Sequence, residues 1–188
     1  MKDDGKMTDT QWPRFMVFQQ DEAGHPYVHN GTVHASDPEM ALLIARDIFS
    51  RRPRAVGMWV VPADVIFSKT LEELVDPSWL EEFPPVNEET EKRPYYVFGK
   101  FSQQAHCEQI GEIGAQSPQA AMKAAVQTYA HRSPLMWWVF PVHAVTASTP
   151  EDIDSMYSPV LDKSYREQSE YPTVTMMRQI RAHRKLED

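Results

Sequence analysis

The sequence lacks several features that mark secreted and membrane proteins. Cys107 is the only cysteine among the 188 residues, so no intrachain disulfide can form. A single cysteine is typical of a reducing compartment and predicts a cytoplasmic location. No apolar run reaches the roughly 18 residues of a transmembrane helix, and the polar N-terminus lacks the apolar core of a signal peptide. The sequence therefore predicts no membrane partner.

Positive charge and glycine are also scarce. The chain has 19 Lys and Arg against 27 Asp and Glu, which gives a formal net charge of −8. This balance disfavours nonspecific binding to nucleic acids or anionic membranes, which are themselves negative. Among only seven glycines there is no phosphate loop and no Gly-x-Gly-x-x-Gly fingerprint. The sequence thus predicts neither a nucleotide cofactor nor a nucleic-acid partner.

What the sequence does contain is a tandem repeat. Residues of the first half recur 80 positions later and, after one deletion, 79 positions later. A constant offset with a single small gap indicates a duplication. The matching pairs are Gly31 and Gly111, Ala35 and Ala115, Pro38 and Pro118, Ala41 and Ala121, Ala45 and Ala125, Phe49 and Tyr129, Arg52 and Arg132, Trp59 and Trp138, Val60 and Val139, and Pro62 and Pro141.

Each repeat predicts two strands, a helix and a third strand. The first strand, from Phe15 in the first copy, is aromatic and β-branched, and a Gly/Pro turn leads to the second. Asp37 and Ser117 each precede a proline, which predicts capped helix starts. A glycine inside the second strand of both copies predicts a bulge or a close backbone contact. The predicted core-facing helix positions are Ala41, Ile44, Ala45, Ile48 and Phe49, and in the second copy Ala121, Ala124, Ala125, Thr128 and Tyr129.

The predicted fold class is α+β, with two tandem ββαβ units. Each unit is an antiparallel sheet covered by one helix, and we expect a pseudo-two-fold relation between the units because one helix covers only one side of a sheet. The predicted segments are a disordered N-terminus over 1–11, a first unit over 12–69, an acidic linker over 70–91, a second unit over 92–148 and a tail with an amphipathic helix over 149–188.

Two segments outside the repeats leave alternatives open. The acidic linker has eight carboxylates and no Lys or Arg, which is typical either of a solvated linker or of a face for a basic partner. Thr70 is positioned to cap a short helix there, and Trp79 and Phe83 indicate that the segment docks on something. In the tail, apolar and basic residues between 173 and 185 predict a helix that packs on its own domain, frays, or lies in a partner's groove.

No cluster of residues with catalytic or metal-ligand spacing is evident. Glu22 and His25 form a Glu-x-x-His pair, but it lies in a Gly/Pro turn and has no second copy. His29 and His34 are five apart on a predicted strand and would point to opposite faces. We interpret the histidines as surface or locally hydrogen-bonded residues and Cys107 as a half-buried structural thiol. The sequence therefore predicts no catalytic, cofactor or metal residues.

The first unit resembles the B subunit of phenylacetyl-CoA epoxidase, that is, the phenylacetic acid degradation B family. The similarity runs along nearly the whole unit and continues in the tail. The motifs that carry it are Trp12-Pro-x-Phe-x-Val-Phe18, His29-x-Gly-x-x-His-Ala-x-Asp-x-x-Met-Ala-Leu42, Ala45-Arg-Asp-x-Phe-x-Arg-Arg52, Trp59-Val-Val61 and Tyr157-Ser-Pro-Val-Leu-Asp-Lys-Ser-Tyr-Arg166.

This resemblance implies a non-catalytic subunit that bridges a multicomponent aromatic acyl-CoA oxygenase in phenylacetate degradation. The implied partners are a catalytic di-iron subunit and its companion, and self-association is a further predicted contact. Family members have a single unit, whereas this chain has two, and its second unit lacks the Arg-Asp and His-Ala signatures. The two halves are therefore expected to bind either the same partner or different ones.

Candidate partner contacts lie on and beside the first helix. Arg46, Asp47, Arg51 and Arg52 form either a solvated helix face or a surface for the catalytic subunit, because arginine is enriched at interfaces. Trp59 belongs either to packing between the units or to an interface anchor. Two rival functions remain at this point, namely a stand-alone module that holds a small aromatic or acyl ligand between the units and an enzyme that uses Cys107.

Overall fold

The structure is a computed structural model that describes residues 12–50, 55–76, 79, 91–158 and 173–184. Its first half contains β1 (Arg14–Gln20), β2 (Val28–His34), α1 (Pro38–Phe49), β3 (Gly57–Pro62), β4 (Phe67–Thr70) and α2 (Leu71–Val75). Its second half contains β5 (Arg93–Lys100), β6 (Glu108–Ala115), α3 (Pro118–Thr128), β7 (Met136–Pro141) and β8 (Thr146–Ala147), and α4 (Thr173–Arg184) lies in the tail.

The described strands form one antiparallel sheet of eight strands in the order β4-β7-β5-β6-β2-β1-β3-β8. The α+β class is confirmed, and of the two open possibilities, packing or pairing of the units, the strand order shows pairing into a single sheet. The halves join where β2 meets β6, through the bridge pair Val28 and Glu108. A hydrogen bond of 2.8 Å from the backbone N–H of His29 to the carbonyl of Cys107 supports this junction.

Two short strands are exchanged between the halves. β4 follows the first half in sequence but pairs with β7, and β8 follows the second half but pairs with β3. Equivalent backbone bonds fix both strands, from the N–H of Leu71 to the carbonyl of Leu135 and from the N–H of Ser148 to the carbonyl of Met58, each at 2.9 Å. Each outer strand of the sheet is therefore supplied by the segment that follows the other half.

Both predicted strand glycines lie at bulges. The β1–β2 register shifts between Val17 and Phe18, opposite Gly31, and the β5–β6 register shifts in the same way opposite Gly111. Gly31 has a φ of +153°, and a Cβ atom there would lie 2.8 Å from the ring of Phe49. The prediction of a bulge and a close contact is confirmed, since the helix packs directly against the glycine.

The helix starts follow the predicted capping chemistry. The Asp37 carboxylate accepts a hydrogen bond of 2.8 Å from the N–H of Met40, and the Ser117 hydroxyl accepts one of 3.1 Å from the N–H of Ala120. The predicted core face of α1 is wrong at Ile48, which is 52% exposed, whereas Leu42 is buried. The buried side runs through Ala41, Ala45 and Phe49 and extends to Leu42, whereas Ile48 lies beyond its other edge.

Two hydrophobic clusters lie under the long helices. The cluster under α1 is completed by Met156 and Tyr157, which follow the second half in sequence. The cluster under α3 is completed by Trp79, which follows the first half and is 6% exposed. The interpretation of this segment as a solvated linker is therefore wrong at Trp79. The docking that Trp79 indicated is confirmed, while Phe83 lies outside the described residues.

A third cluster forms on the sheet face opposite the helices. The rings of Phe18 on β1 and Phe98 on β5 have centroids 4.6 Å apart, and Phe98 and Phe140 have centroids 5.3 Å apart. Strands β1 and β5 are three steps apart in the sheet, which would be about 14 Å in a flat one. The sheet must therefore curl, so that the two halves pack through their aromatic faces.

Candidate protein-interaction surface

Two of the charged residues predicted as partner contacts, Arg46 and Asp47, lie on the accessible side of α1. Arg46 and Asp47 form an ion pair with an Nη2–Oδ1 distance of 2.7 Å, and their side chains are 36% and 66% exposed. Exposed pairs of this kind contribute at most about 1 kcal/mol to stability. Arg51 and Arg52 lie outside the described residues, so the structure describes two of the four predicted charges.

Trp59 does not share this surface. Its ring stacks between Tyr27, at a centroid distance of 3.6 Å, and Tyr96, at 4.7 Å. The side chain is 9% exposed and belongs to the aromatic cluster between the halves. Of the two roles open for Trp59, its burial supports packing between the halves.

Sequence reasoning missed an apolar surface on the same helix. Met40, Leu43 and Ile48, here called the outer face of α1, are 42%, 49% and 52% exposed. At the equivalent positions α3 has Ala120, Lys123 and Thr128. The signal was present in the repeat, because an 80-residue offset aligns the two helices and shows large apolar side chains at these positions in only one of them.

The predicted amphipathic helix of the tail is confirmed as α4. Its described apolar side chains are all exposed, with Val174 at 63%, Met176 at 56%, Met177 at 60% and Ile180 at 67%. Packing on its own domain, one of the three alternatives, is therefore not observed for these side chains. In the ranges that the structure describes, no helix has the length and apolar character to span a bilayer.

Glu22 and His25 do not form part of a metal centre in the described structure. Their side chains approach to 3.8 Å in an exposed turn. Among the described residues, no three or more His, Cys, Asp or Glu side chains come together in an arrangement that would hold a metal ion.

Among the histidines whose side chains the structure describes, only His29 is not a surface residue, contrary to our interpretation of the histidines from the sequence. Its ring lies at the junction of the halves, 5.5 Å from the ring of Phe18 and 5.0 Å from that of Trp138. Its Nε2 atom is buried and finds no hydrogen-bond partner among the described residues. Burial lowers the pKa of His29 to about 4, although a hydrogen bond to the backbone of Gly31 opposes this shift.

We expect this histidine to make the fold sensitive to acid. The unfolded chain takes up the proton near pH 6.5 and the folded chain near pH 4, so acidification between these values favours unfolding. Because part of the ring remains solvated, the loss should be about 2 kcal/mol. Urea unfolding at several pH values should show His29→Phe gaining about that much relative to the wild type as the pH falls through this range.

The matched control for this measurement is His25→Gln, because His25 lies in an exposed turn. It should not reproduce the gain of His29→Phe. Parallel curves for His29→Phe and the wild type would contradict a buried, neutral His29.

Cys107 is buried more deeply than the sequence suggested, at 3% exposure. Burial raises the pKa of its thiol to about 12, so the thiol stays protonated near neutral pH. The thiolate is the reactive form of cysteine. This environment is that of a structural thiol and opposes a role as nucleophile.

The space predicted for a ligand between the two units is occupied by side chains. Phe18, Phe98 and Phe140 fill it and are all fully buried. A cleft of about 480 Å³ lies elsewhere, at the end of β4 and β5, where Lys100, Glu72 and Ser102 form part of its wall. The described junction is thus a packed core.

Comparison with known proteins finds one family across both halves. The family model for phenylacetic acid degradation B matches residues 11–88 and again residues 91–178. The B subunit of 1,2-phenylacetyl-CoA epoxidase from Escherichia coli K12 is 39% identical over 67 residues, which cover 36% of this chain and 70% of that protein. That protein is thus about 96 residues long, roughly half of the 188 here. No solved structure matches the chain.

Proposed function

Because the chain belongs to the phenylacetic acid degradation B family, we propose that it is a non-catalytic subunit that bridges the components of an aromatic acyl-CoA epoxidase. The observation that carries this proposal is the family match over both halves, together with the 67-residue similarity to the B subunit of an epoxidase. The substrate of the proposed complex is phenylacetyl-CoA. The proposed partners are a catalytic di-iron subunit and its companion, and the cytoplasmic location predicted from the single cysteine is part of the proposal.

The chemistry of the chain is consistent with a structural role. The buried Cys107 thiol is held protonated by its surroundings, and His29 is enclosed by aromatic rings. Neither side chain is exposed in a way that would let it contact a large acyl-CoA. Catalysis in the proposed complex is therefore assigned to the partner.

The proposal also includes the internal arrangement of the chain. The order β-β-α-β occurs twice, the caps and bulges recur, and the outer strands are exchanged reciprocally. These features support two ββαβ units with a pseudo-two-fold relation. A fused chain of this kind would stand in for two single-unit subunits.

We further propose that the flank of α1 near Arg46 and Asp47 contacts the catalytic subunit. The test is to purify the tagged chain from its source cells, identify the proteins that accompany it by mass spectrometry and assay iron in the eluate. We expect a di-iron subunit and its companion. Arg46→Glu should reduce their recovery about tenfold or more, since a charge reversal at an interface costs several kcal/mol.

Lys123→Glu on α3 is the matched control, because it reverses a charge on the equivalent helix of the other half. It should leave recovery unchanged. A purified chain that carries neither iron nor partner, from cells that degrade phenylacetate, would overturn the bridging function and favour a stand-alone binding module.

A further inference from the structure

The two halves of the molecule differ in the surface that their long helices expose. The outer face of α1 exposes Met40, Leu43 and Ile48. In α3, Lys123 replaces Leu43 and Thr128 replaces Ile48. Both helices start with the same caps and cover the same kind of sheet, so the fold does not require apolar residues there. Met40 and Leu43 are three residues apart and neighbours on the helix surface, and Ile48 lies about 80° around the helix from Met40. Exposed apolar groups of this kind are typical of interaction sites. The outer face of α1 is therefore a candidate binding surface.

A second unpartnered apolar surface lies on α4. Val174, Met177 and Ile180 follow one another at intervals of three and share one side of the helix. All three are more than half exposed. An isolated helix of 12 residues is marginal in water, so α4 requires contact with another surface to be stable.

The two surfaces match in length and charge. Each helix has 12 residues and is about 18 Å long. Residues 173–185 contain four Lys and Arg and no Asp or Glu, whereas the rest of the chain has a net charge of −12, the difference between −8 and +4. Glu39 lies in the first turn of α1. An antiparallel arrangement would place the basic end of α4 beside this acidic turn. It would also align the two helix dipoles in opposite directions, which is electrostatically favourable.

The path of the tail also leads to this place. Tyr157 packs in the cluster under α1, together with Ala41 and Ala45, so the tail leaves the fold beside that helix. The chain between residues 158 and 173 can span at most about 50 Å, which allows α4 to reach a neighbouring molecule. Within one copy the described apolar side chains of α4 remain exposed, so its own fold does not cover them.

We propose that α4 of one copy packs along the outer face of α1 of a second copy, and that the reciprocal contact forms a two-fold dimer. Each copy then contributes one helix and one receiving face, as an isologous interface requires. The equivalent face of α3 stays open to solvent. This proposal concerns the purified chain alone. Because Asp47 lies between Leu43 and Ile48 on α1, α4 and the proposed catalytic subunit would compete for this part of the helix.

The single cysteine allows a direct test by disulfide trapping. In a Cys107→Ala background, protein with Leu43→Cys is mixed with protein with Met177→Cys and oxidised mildly. We expect a disulfide between the two proteins in at least about tenfold greater yield than for a mixture of Lys123→Cys and Met177→Cys, because a bound pair holds its thiols at an effective concentration in the millimolar range. Lys123 is the equivalent position on α3, so this control matches exposure and geometry.

Sedimentation of unsubstituted protein gives a second measurement that does not depend on the variants. The full chain should sediment as a dimer, and the chain truncated after residue 172 should sediment as a monomer with an unchanged far-UV spectrum of its body. A monomeric full chain would overturn the proposal, as would a truncated chain that remains dimeric. Equal trapping by Lys123→Cys, trapping only when both cysteines are on the same chain, or preferential pairing of Leu43→Cys with itself would also overturn it.

Discussion

Neither half of the chain will fold as a monomer when it is expressed alone. A fragment over 12–91 lacks β8 and the side chains of Met156 and Tyr157, and a fragment over 92–188 lacks β4 and Trp79. Each fragment would also expose the aromatic face that packs against the other half. At about 80 to 100 residues, such a fragment buries too little apolar surface to compensate for these losses. Urea titration of each isolated fragment should show no cooperative unfolding of a monomer, and mixing the two should restore it.

The control is a cut made after folding. A protease site introduced near residue 90 allows the covalent link to be broken in the native protein, and both pieces should then stay together on a sizing column near neutral pH. The reason is that the exchanged strands and the aromatic faces do not need the link once they are formed. A fragment that unfolds cooperatively as a monomer would contradict the reciprocal exchange described for β4 and β8.

The elements of each repeat were predictable because their signals are local. Asp37 before Pro38 predicts the start of α1, and Gly31 predicts the β2 bulge, since both depend on neighbouring residues. Strands β4 and β8 were not predicted because they have four and two residues, and their partners lie far away in sequence. Short strands are decided by tertiary pairing more than by propensity.

One signal in the sequence could have revealed these connections. The Thr70 N–H donates a hydrogen bond of 2.7 Å to the Glu73 carboxylate, and the Thr149 N–H donates one of 2.8 Å to the Asp152 carboxylate. The threonines are 79 residues apart, so the repeat continues past the third strand. Because the repeat includes these positions, it predicts that the start of the linker and the start of the tail adopt equivalent structures.

The prediction that His29 and His34 point to opposite faces of the strand was wrong, and the bulge explains why. A spacing of five predicts opposite faces for His29 and His34 on a regular strand. The register pairs Val17 with Gly31 but Phe18 with His29, so Asn30 is the extra residue of the bulge. The bulge turns His29 to the same face as Phe18 and partly buries it. The glycine predicted the bulge, but not its effect on the residues before it.

The candidate surface was only partly predictable because helical periodicity does not show how far burial extends. Apolar residues recur around most of α1, and the pattern alone assigned Ile48 to the core. The structure shows that a stripe of small residues at Ala41 and Ala45 lets the helix sit close to the sheet. The apolar residues beyond that stripe remain on the surface, where their role is in binding and not in folding.

Replacing Phe18 by alanine should destabilise the whole chain more than any surface substitution. Its side chain is fully buried, and its ring lies 4.6 Å from that of Phe98 and 5.4 Å from that of Phe140. Truncating a core phenylalanine typically costs about 3–5 kcal/mol through lost transfer energy and the cavity left behind. A typical domain has only about 5–15 kcal/mol of stability. The urea midpoint of Phe18→Ala should therefore fall steeply.

A double-mutant cycle with Phe98→Ala separates packing between the halves from burial within one half. The two losses should fall short of additivity by about 0.5–1.5 kcal/mol, because the ring pair spans the junction. Trp12→Ala is the control, since it removes a larger ring that is 59% exposed, and it should cost less than about 1 kcal/mol. Strict additivity of the two phenylalanine substitutions would mean that the rings stabilise their own halves independently. The contact between Phe18 and Phe98 would then not stabilise the curled sheet that brings β1 and β5 together.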